Sequence, residues 1–242
     1  MIKIEMNPTN YLIGGFYDML ITNGSSMWGT VFDDPGEKAM QLNIGDCLTF
    51  GSFVPSIDSS NLNIRLPMLW HVIGKDGNRL KLLSYFFFEH TGYWPVEGST
   101  KSVTWENSEI RHDLNNKFLY DCFDENERNA ILTTEVKTKS TGESYIVTHD
   151  KLYVPGLEDI ENIPEHLKIG RCLFTGHTDN GSSFVDLMYC FYWLRDPGEY
   201  DDENLVVQGF AGSKLVLYSL DYGSDEVGVR AIMWLDAEKS RK

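Results

Sequence analysis

The chain lacks most of the features that announce a function. No run approaches the ~20 apolar residues that cross a bilayer, so no membrane partner is expected. Clustered basic residues are missing too: 21 Lys and Arg stand against 36 Asp and Glu, for a formal net charge of -15. Phosphate backbones are held by concentrated positive charge, which excludes nucleic acid as a partner. An acidic surface serves solubility or meets a basic partner. The opening residues Met1 to Pro8 show no basic segment leading into an apolar one, so no secretory signal is expected and the location reads as cytoplasmic. Cysteine is scarce. Cys47, Cys122, Cys172 and Cys190 form no Cys-x-x-Cys pair and are expected as reduced, partly buried thiols. Two disulfides are the alternative if the chain is exported.

Catalytic signatures are absent as well. None of the six histidines falls in a His-Glu-x-x-His pattern, so no metal centre is expected. No Gly-x-Ser-x-Gly elbow supports a Ser-His-Asp triad. There is no internal repeat and no low-complexity tract.

What is present suits a folded chain. With 242 residues, 42% hydrophobic and 13% aromatic, it can bury a large core. Short aromatic runs separated by glycine-containing turns point to strands with a few helices. Residues 1–43 have a character of their own, with paired glycines at Gly14-Gly15 and turns at Asn23-Gly24 and Asp34-Pro35-Gly36. They are expected to form an N-terminal extension packed on a main domain of residues 44–242.

The main domain organises around Thr104–Phe118. Ile110, Leu114 and Phe118 recur every four residues and line one helix face. Thr104, Asn107 and Ser108 offer caps, and Arg111 at the edge of the stripe is placed for its head to find a carboxylate. A second helix is expected over Phe123–Leu132, opened by Asp124 and Glu127, and a short one near Pro164. Strands are expected over Leu42–Gly51, over Leu69–Gly74 and Arg79–Ser84 as a hairpin about Asp76-Gly77, and over Tyr85–Phe88. Others are Asp150–Val154, Tyr189–Arg195, Leu205–Phe210, Lys214–Tyr218 and Gly228–Leu235. Thr133–Ser144 reads as exposed loop, and an acidic segment surrounds Glu158, Asp159 and Glu161.

Several of these pieces recur together in a known pattern. Ile44-Gly45-Asp46…Thr49-Phe50-Gly51, Trp70-His71-Val72-Ile73, and Trp105-Glu106-Asn107-Ser108-Glu109-Ile110-Arg111…Leu114-Asn115…Phe118 are followed by Phe123–Glu127, Trp193–Gly198 and Gly228–Ala231. In that order, over about residues 44 to 236, the chain resembles the bacterial family DUF6273. The resemblance implies an α+β fold of the C-type lectin-like and formylglycine-generating-enzyme-like class. Such a fold has twisted antiparallel sheets, two or three helices and long loops. The chain departs from the pattern at Asp150–Gly156 and at Ala231, where proline is usual. No activity comes with the family.

Two readings compete for Arg111, Arg195 and Arg230. They could grip an anionic ligand, or pair with internal carboxylates such as Asp196 or Asp113 and tie helix to sheet; the structural role is the expectation. Tyr93 and Trp94, with Trp28, lie in loop-like contexts where aromatics stack on sugars or anchor a partner. His177 and Asp179 in the Gly176–Ser183 loop, and Asp202 in the Gly198–Asn204 loop, complete a candidate ligand-binding set. Acidic turns at Asp201–Asn204 and Asp221–Glu226 carry oxygen ligands suited to calcium, although the Glu-Pro-Asn tripeptide of sugar-binding lectins is missing; no cofactor is otherwise expected. Copper-oxidase chemistry would need two close cysteines, and Cys172 and Cys190 are distant in sequence. The expectation is a non-enzymatic binding module for a glycan or protein ligand. The alternatives are a hydrolase or oxidase assembled only in three dimensions, and a phage or bacterial assembly protein that forms a homo-oligomer through residues 1–43.

Overall fold

Asp76-Gly77 turns the chain between two strands with largely buried middles. β3 (Leu66–Asp76) and β4 (Arg79–Ser84) are antiparallel, with Asp76 facing Arg79 across the turn. Gly77 takes φ 55, open to a residue without Cβ. Met68, Trp70, Val72, Leu80 and Leu82 are all buried, so this hairpin is the spine of the core. The computed structural model describes residues 31–32, 41–53, 65–85, 92–96, 103–140, 144–168, 171–177, 183–189, 191–200, 203–208, 216–221 and 227–240.

With β1 (Val31–Phe32), β2 (Cys47–Phe53), β5 (Ile131–Leu132) and β13 (Ile232–Asp236), the hairpin makes a six-stranded sheet in the order β1-β2-β3-β4-β13-β5. Its β1–β2 pair is parallel and its other pairs antiparallel. Val31 and Phe32, from the expected extension, therefore lie in the main sheet beside Cys47 and Leu48. β10 (Tyr192–Pro197), β11 (Glu203–Gln208) and β12 (Val216–Asp221) form an antiparallel sheet of three. β8 (Arg171–His177) and β9 (Ser183–Tyr189) form a hairpin.

Two crossing segments join these sheets. Tyr153 exchanges backbone hydrogen bonds of 3.1 and 2.6 Å with Ile232, and Trp193 N–H donates to the Gly228 carbonyl at 3.1 Å. The chain running from 228 to 232 thus reaches from the three-stranded sheet into the six-stranded one. The described helices are short: α1 (Glu109–Asp113), α2 (Leu119–Cys122), α3 (Glu125–Ala130) and α4 (Leu157–Asn162). The architecture is α+β and mostly antiparallel. No helix among the described residues is long and apolar enough to cross a membrane.

Three expectations need correction. Thr133–Ser144 is not a loop: β6 (Thr134–Lys139) pairs in full register with β7 (Tyr145–Asp150). Val136 and Thr138 point inward while Glu135, Lys137 and Lys139 face solvent, so the segment has strand period despite its polar composition. The strand expected over Asp150–Val154 is instead the end of β7 at Asp150, followed by a bend and a single bridge from Tyr153 to Ile232. The acidic segment after Gly156 forms helix α4, with Asp159 buried. The Tyr85–Phe88 strand beyond Tyr85 lies outside the described residues.

Thr138 is 2% exposed, and its hydroxyl has no hydrogen-bond partner among the described residues. A buried, unmatched hydroxyl costs roughly 1–2 kcal/mol. Thr138→Val is expected to raise stability by about 1 kcal/mol in urea denaturation. A loss of that size would show that the hydroxyl is satisfied in the fold.

Candidate functional site

The helical segment opens as its sequence dictates. The Asn107 side chain accepts from Thr104 N–H at 2.7 Å, and Ser108 Oγ accepts from Arg111 N–H at 3.2 Å. Ile110 and Leu114 are buried on the expected stripe. Beyond α1 the period changes, because a π-turn over Leu114–Phe118 inserts an extra residue before α2. The next buried side chain is Leu119, while Phe118 is only partly covered. Tyr120 is thereby turned outward and is 65% exposed.

Tyr120 stands at the rim of a groove of about 720 Å³, whose lining includes Ser52, Arg65, Asp121, Glu125 and Arg128. The floor is built from β2 and the residue after α2. Gly51 has φ 75, and a Cβ there would sit 2.5 Å from the Phe123 ring, so only glycine lets the strand approach this closely. Phe123 in turn packs against Phe50 and Trp70, with centroids at 5.6 and 6.2 Å. Arg65 ties the walls together. Its Nε donates to Ser52 Oγ and its Nη2 to the Ser52 carbonyl, each at 2.8 Å, and Nη2 also reaches the Asp121 carbonyl. Arg128 lies over the Tyr120 ring at 4.8 Å and donates to the Phe123 carbonyl. Burial pushes the Cys122 thiol up to about 12, so it is an inert part of the floor.

The three arginines singled out from sequence face inward. Arg111 Nε donates to Asp150 at 2.8 Å, and the same buried carboxylate accepts from Trp105 Nε1 at 2.9 Å and Thr148 Oγ1 at 2.6 Å. Arg195 pairs with Asp159, whose other oxygen takes Lys81 Nζ at 2.6 Å. Arg230 is 0% exposed and donates to the carbonyls of Ser84 and Leu167 at 2.7 and 2.9 Å, with its guanidinium 5.3 Å from the Tyr192 ring centre. The carboxylate partners are therefore Asp150 and Asp159, not Asp113 and Asp196. Asp113 meets His112 on the surface, and Asp196 accepts from Leu157 N–H at 2.7 Å.

The expected ligand-binding residues are not gathered into one site. Tyr93 is 0% exposed with its ring edge-on to Trp193 at 5.4 Å, so it belongs to the core and displays no contact face. Trp94 is 44% exposed. His177 ends β8 opposite Ser183, and Asp179 and Asp202 lie outside the described residues. Among the described residues no three His, Cys, Asp or Glu side chains come together as a metal site. Cys47 Sγ and His71 Nδ1 approach to 3.0 Å, both buried, with the imidazole stacked on Tyr85 at 4.8 Å. The signal for Tyr120 was in the sequence. It is an aromatic two residues after Phe118, off the apolar stripe, and no packing role accounted for it.

The family described as domain of unknown function (DUF6273) matches residues 77–237. The chain belongs to this family. The DUF6273 match begins at the Asp76-Gly77 turn, so the motifs at 44–51 and 70–73 fall before it. Neither the curated proteins nor the solved structures yield a match to the chain.

Burial opposes ionisation of Asp159, but Arg195 and Lys81 overcome it and hold its carboxyl below the ordinary 3.8. A depressed folded pKa contributes stability that is present above the unfolded value and lost as pH falls through the folded one. Asp196 acts in the opposite sense, since burial raises its pKa and its contribution falls away as pH rises. Asp159→Asn strands Arg195 among buried groups, and is expected to lower stability at pH 7 by about 3–5 kcal/mol. It should also flatten the loss of stability below pH ~4. Chemical denaturation from pH 3 to 8 reads both effects, and an unchanged acid limb would refute the assignment.

Proposed function

We propose that this protein is a non-enzymatic binding module, its α+β framework C-type lectin-like and its ligand a glycan or a protein. The observation that carries this reading is the division of polar groups between interior and surface. Arg111, Arg195, Arg230, Asp150 and Asp159 are consumed inside the fold by hydrogen bonds and ion pairs. The open groove beneath Tyr120 keeps an exposed aromatic ring and polar side chains at its rim. Its volume lies within the range of ligand sites, and an amphipathic ring beside anchored guanidiniums suits recognition of a polar ligand. Trp94 offers a second exposed aromatic contact. A mostly antiparallel scaffold with short helices supports the lectin-like assignment, as does the motif order of a bacterial family.

An enzyme reading draws on the Cys47–His71 contact, because a thiol beside an imidazole is a nucleophile–base arrangement. Both are buried side chains of the paired strands β2 and β3, where substrate has no approach.

The test is a screen of glycans and peptides against the full chain and Tyr120→Ala. The binding reading expects ligands retained by the parent protein and weakened at least tenfold by the substitution, about 1.4 kcal/mol. Turnover of a screened compound, abolished by Cys47→Ser, would replace it with the enzyme reading.

A further inference from the structure

We propose that the groove beneath Tyr120 takes the cationic side chains of an extended arginine- or lysine-bearing segment of a protein partner. This rests on the binding-module reading and selects one ligand class for it. The groove is lined by two guanidiniums against four carboxylates, a net charge of -2, in a chain of net charge -15. Asp124 and Glu127 are occupied with each other's backbone, each accepting the other's N–H at 2.8 and 2.9 Å. Asp121 and Glu125 are exposed, and among the described residues their carboxylates make no hydrogen bond or ion pair. They are the acceptors left open.

The chain's own cations show what this surface holds. Arg128 lies over one side of Tyr120 at 4.8 Å while the ring stays 65% exposed. Arg65 donates to the Asp121 carbonyl and Arg128 to the Phe123 carbonyl, at the end of α2. The negative pole of the helical segment and the exposed π-face thus favour positive charge at the same rim. Both resident guanidiniums are anchored to backbone carbonyls, and among the described residues neither makes an ion pair with Asp121 or Glu125 at the mouth. A neutral sugar would leave those two carboxylates without a counter-charge; a guanidinium satisfies one of them and stacks on Tyr120.

The experiment titrates the full chain by calorimetry with a capped Gly-Arg-Gly-Arg-Gly peptide, its Gln-for-Arg counterpart, and a methyl glycoside. The Arg peptide is expected to bind and the Gln peptide not to. Asp121→Asn with Glu125→Gln should weaken the Arg peptide at least tenfold, with a circular dichroism melt unchanged from the parent protein. Glu158→Gln on α4 should leave binding unchanged. Equal losses in the Glu158 variant and the double variant, or none in either, mean diffuse attraction to an acidic surface and overturn the proposal. Binding of the glycoside in place of the Arg peptide also overturns it, while the binding-module reading stands. Chemical conversion of either probe overturns both.

Discussion

Arg195 and Asp159 meet where four elements of the fold converge. Asp159 lies on α4 and Arg195 on β10; Lys81 on β4 completes the ion cluster, and Arg195 Nε reaches the Lys137 carbonyl of β6 at 3.2 Å. Two sheets, a hairpin and a helix are held in register by these few charged groups. Buried ion pairs gain little over a well-packed apolar substitute, since desolvation of both ions offsets their attraction. Their geometry, however, is demanding, and one half left alone is strongly unfavourable. The backbone has been fitted to this cluster. A Cβ on Gly156 would lie 2.5 Å from the Arg195 guanidinium carbon and 2.7 Å from Asp196 Oδ2, so the turn into α4 closes only over glycine.

The same solution recurs at Asp150 and at Arg230. Asp150 accepts from Trp105, Arg111 and Thr148, which binds the helical segment to the end of β7. Asn115, one turn further along, extends the clasp: its side chain accepts from the N–H groups of Lys151 and Leu152 and donates to the Leu152 carbonyl at 2.8 Å. Arg230 gathers carbonyls from the end of β4 and from residues 167–168, and so fixes the strap that links the two larger sheets. Each buried charge satisfies backbone or side-chain groups that would otherwise be unmatched in a dry interior. Short helices and irregular connections expose many such groups to burial, which explains why this core carries so many charged residues.

Features encoded within a few residues were legible in the sequence. The Asp76-Gly77 turn, the Asn107 and Ser108 caps, and the Asp124–Glu127 capping box each depend only on near neighbours. Arg111 was legible in kind, as an arginine with its stem on the helix and its head on a carboxylate. Its partner was not, because Asp150 lies 39 residues away while Asp113 stands only two residues on. Arg195 repeats the case, with Asp159 36 residues off and Asp196 next door. A neighbouring carboxylate in an extended strand points to the opposite face, so adjacency was the wrong guide. The inward positions of the β6–β7 hairpin include Thr138, and α4 buries an aspartate, Asp159, beside Ile160, so neither carries a clear apolar stripe. Residues that break the rule of apolar inside and polar outside hide the elements that carry them.

Tyr120 shows how one inserted residue decides between core and surface. On an uninterrupted α-helix from Ile110, the four-residue period runs through Leu114 and Phe118. The π-turn advances burial to Leu119, and each later side chain rotates by about 100° relative to the regular pattern. The groove follows from that rotation, but only on one side. Tyr120, Asp121, Glu125 and Arg128 fall within the family match, whereas Gly51, Ser52 and Arg65 precede it. The opposing wall is joined to the helical one by Phe123 packing on Gly51 and by the bridging guanidinium of Arg65. A π-turn is a rare interruption of an α-helix and persists where something else holds it. Here Asn115, inside the turn, is locked to residues 151–152, and Phe123 just beyond α2 is locked against Phe50 and Trp70. The outward set of Tyr120 is therefore imposed from both ends by buried contacts, which gives the rim of the groove a rigidity that a surface loop of the same composition would not have.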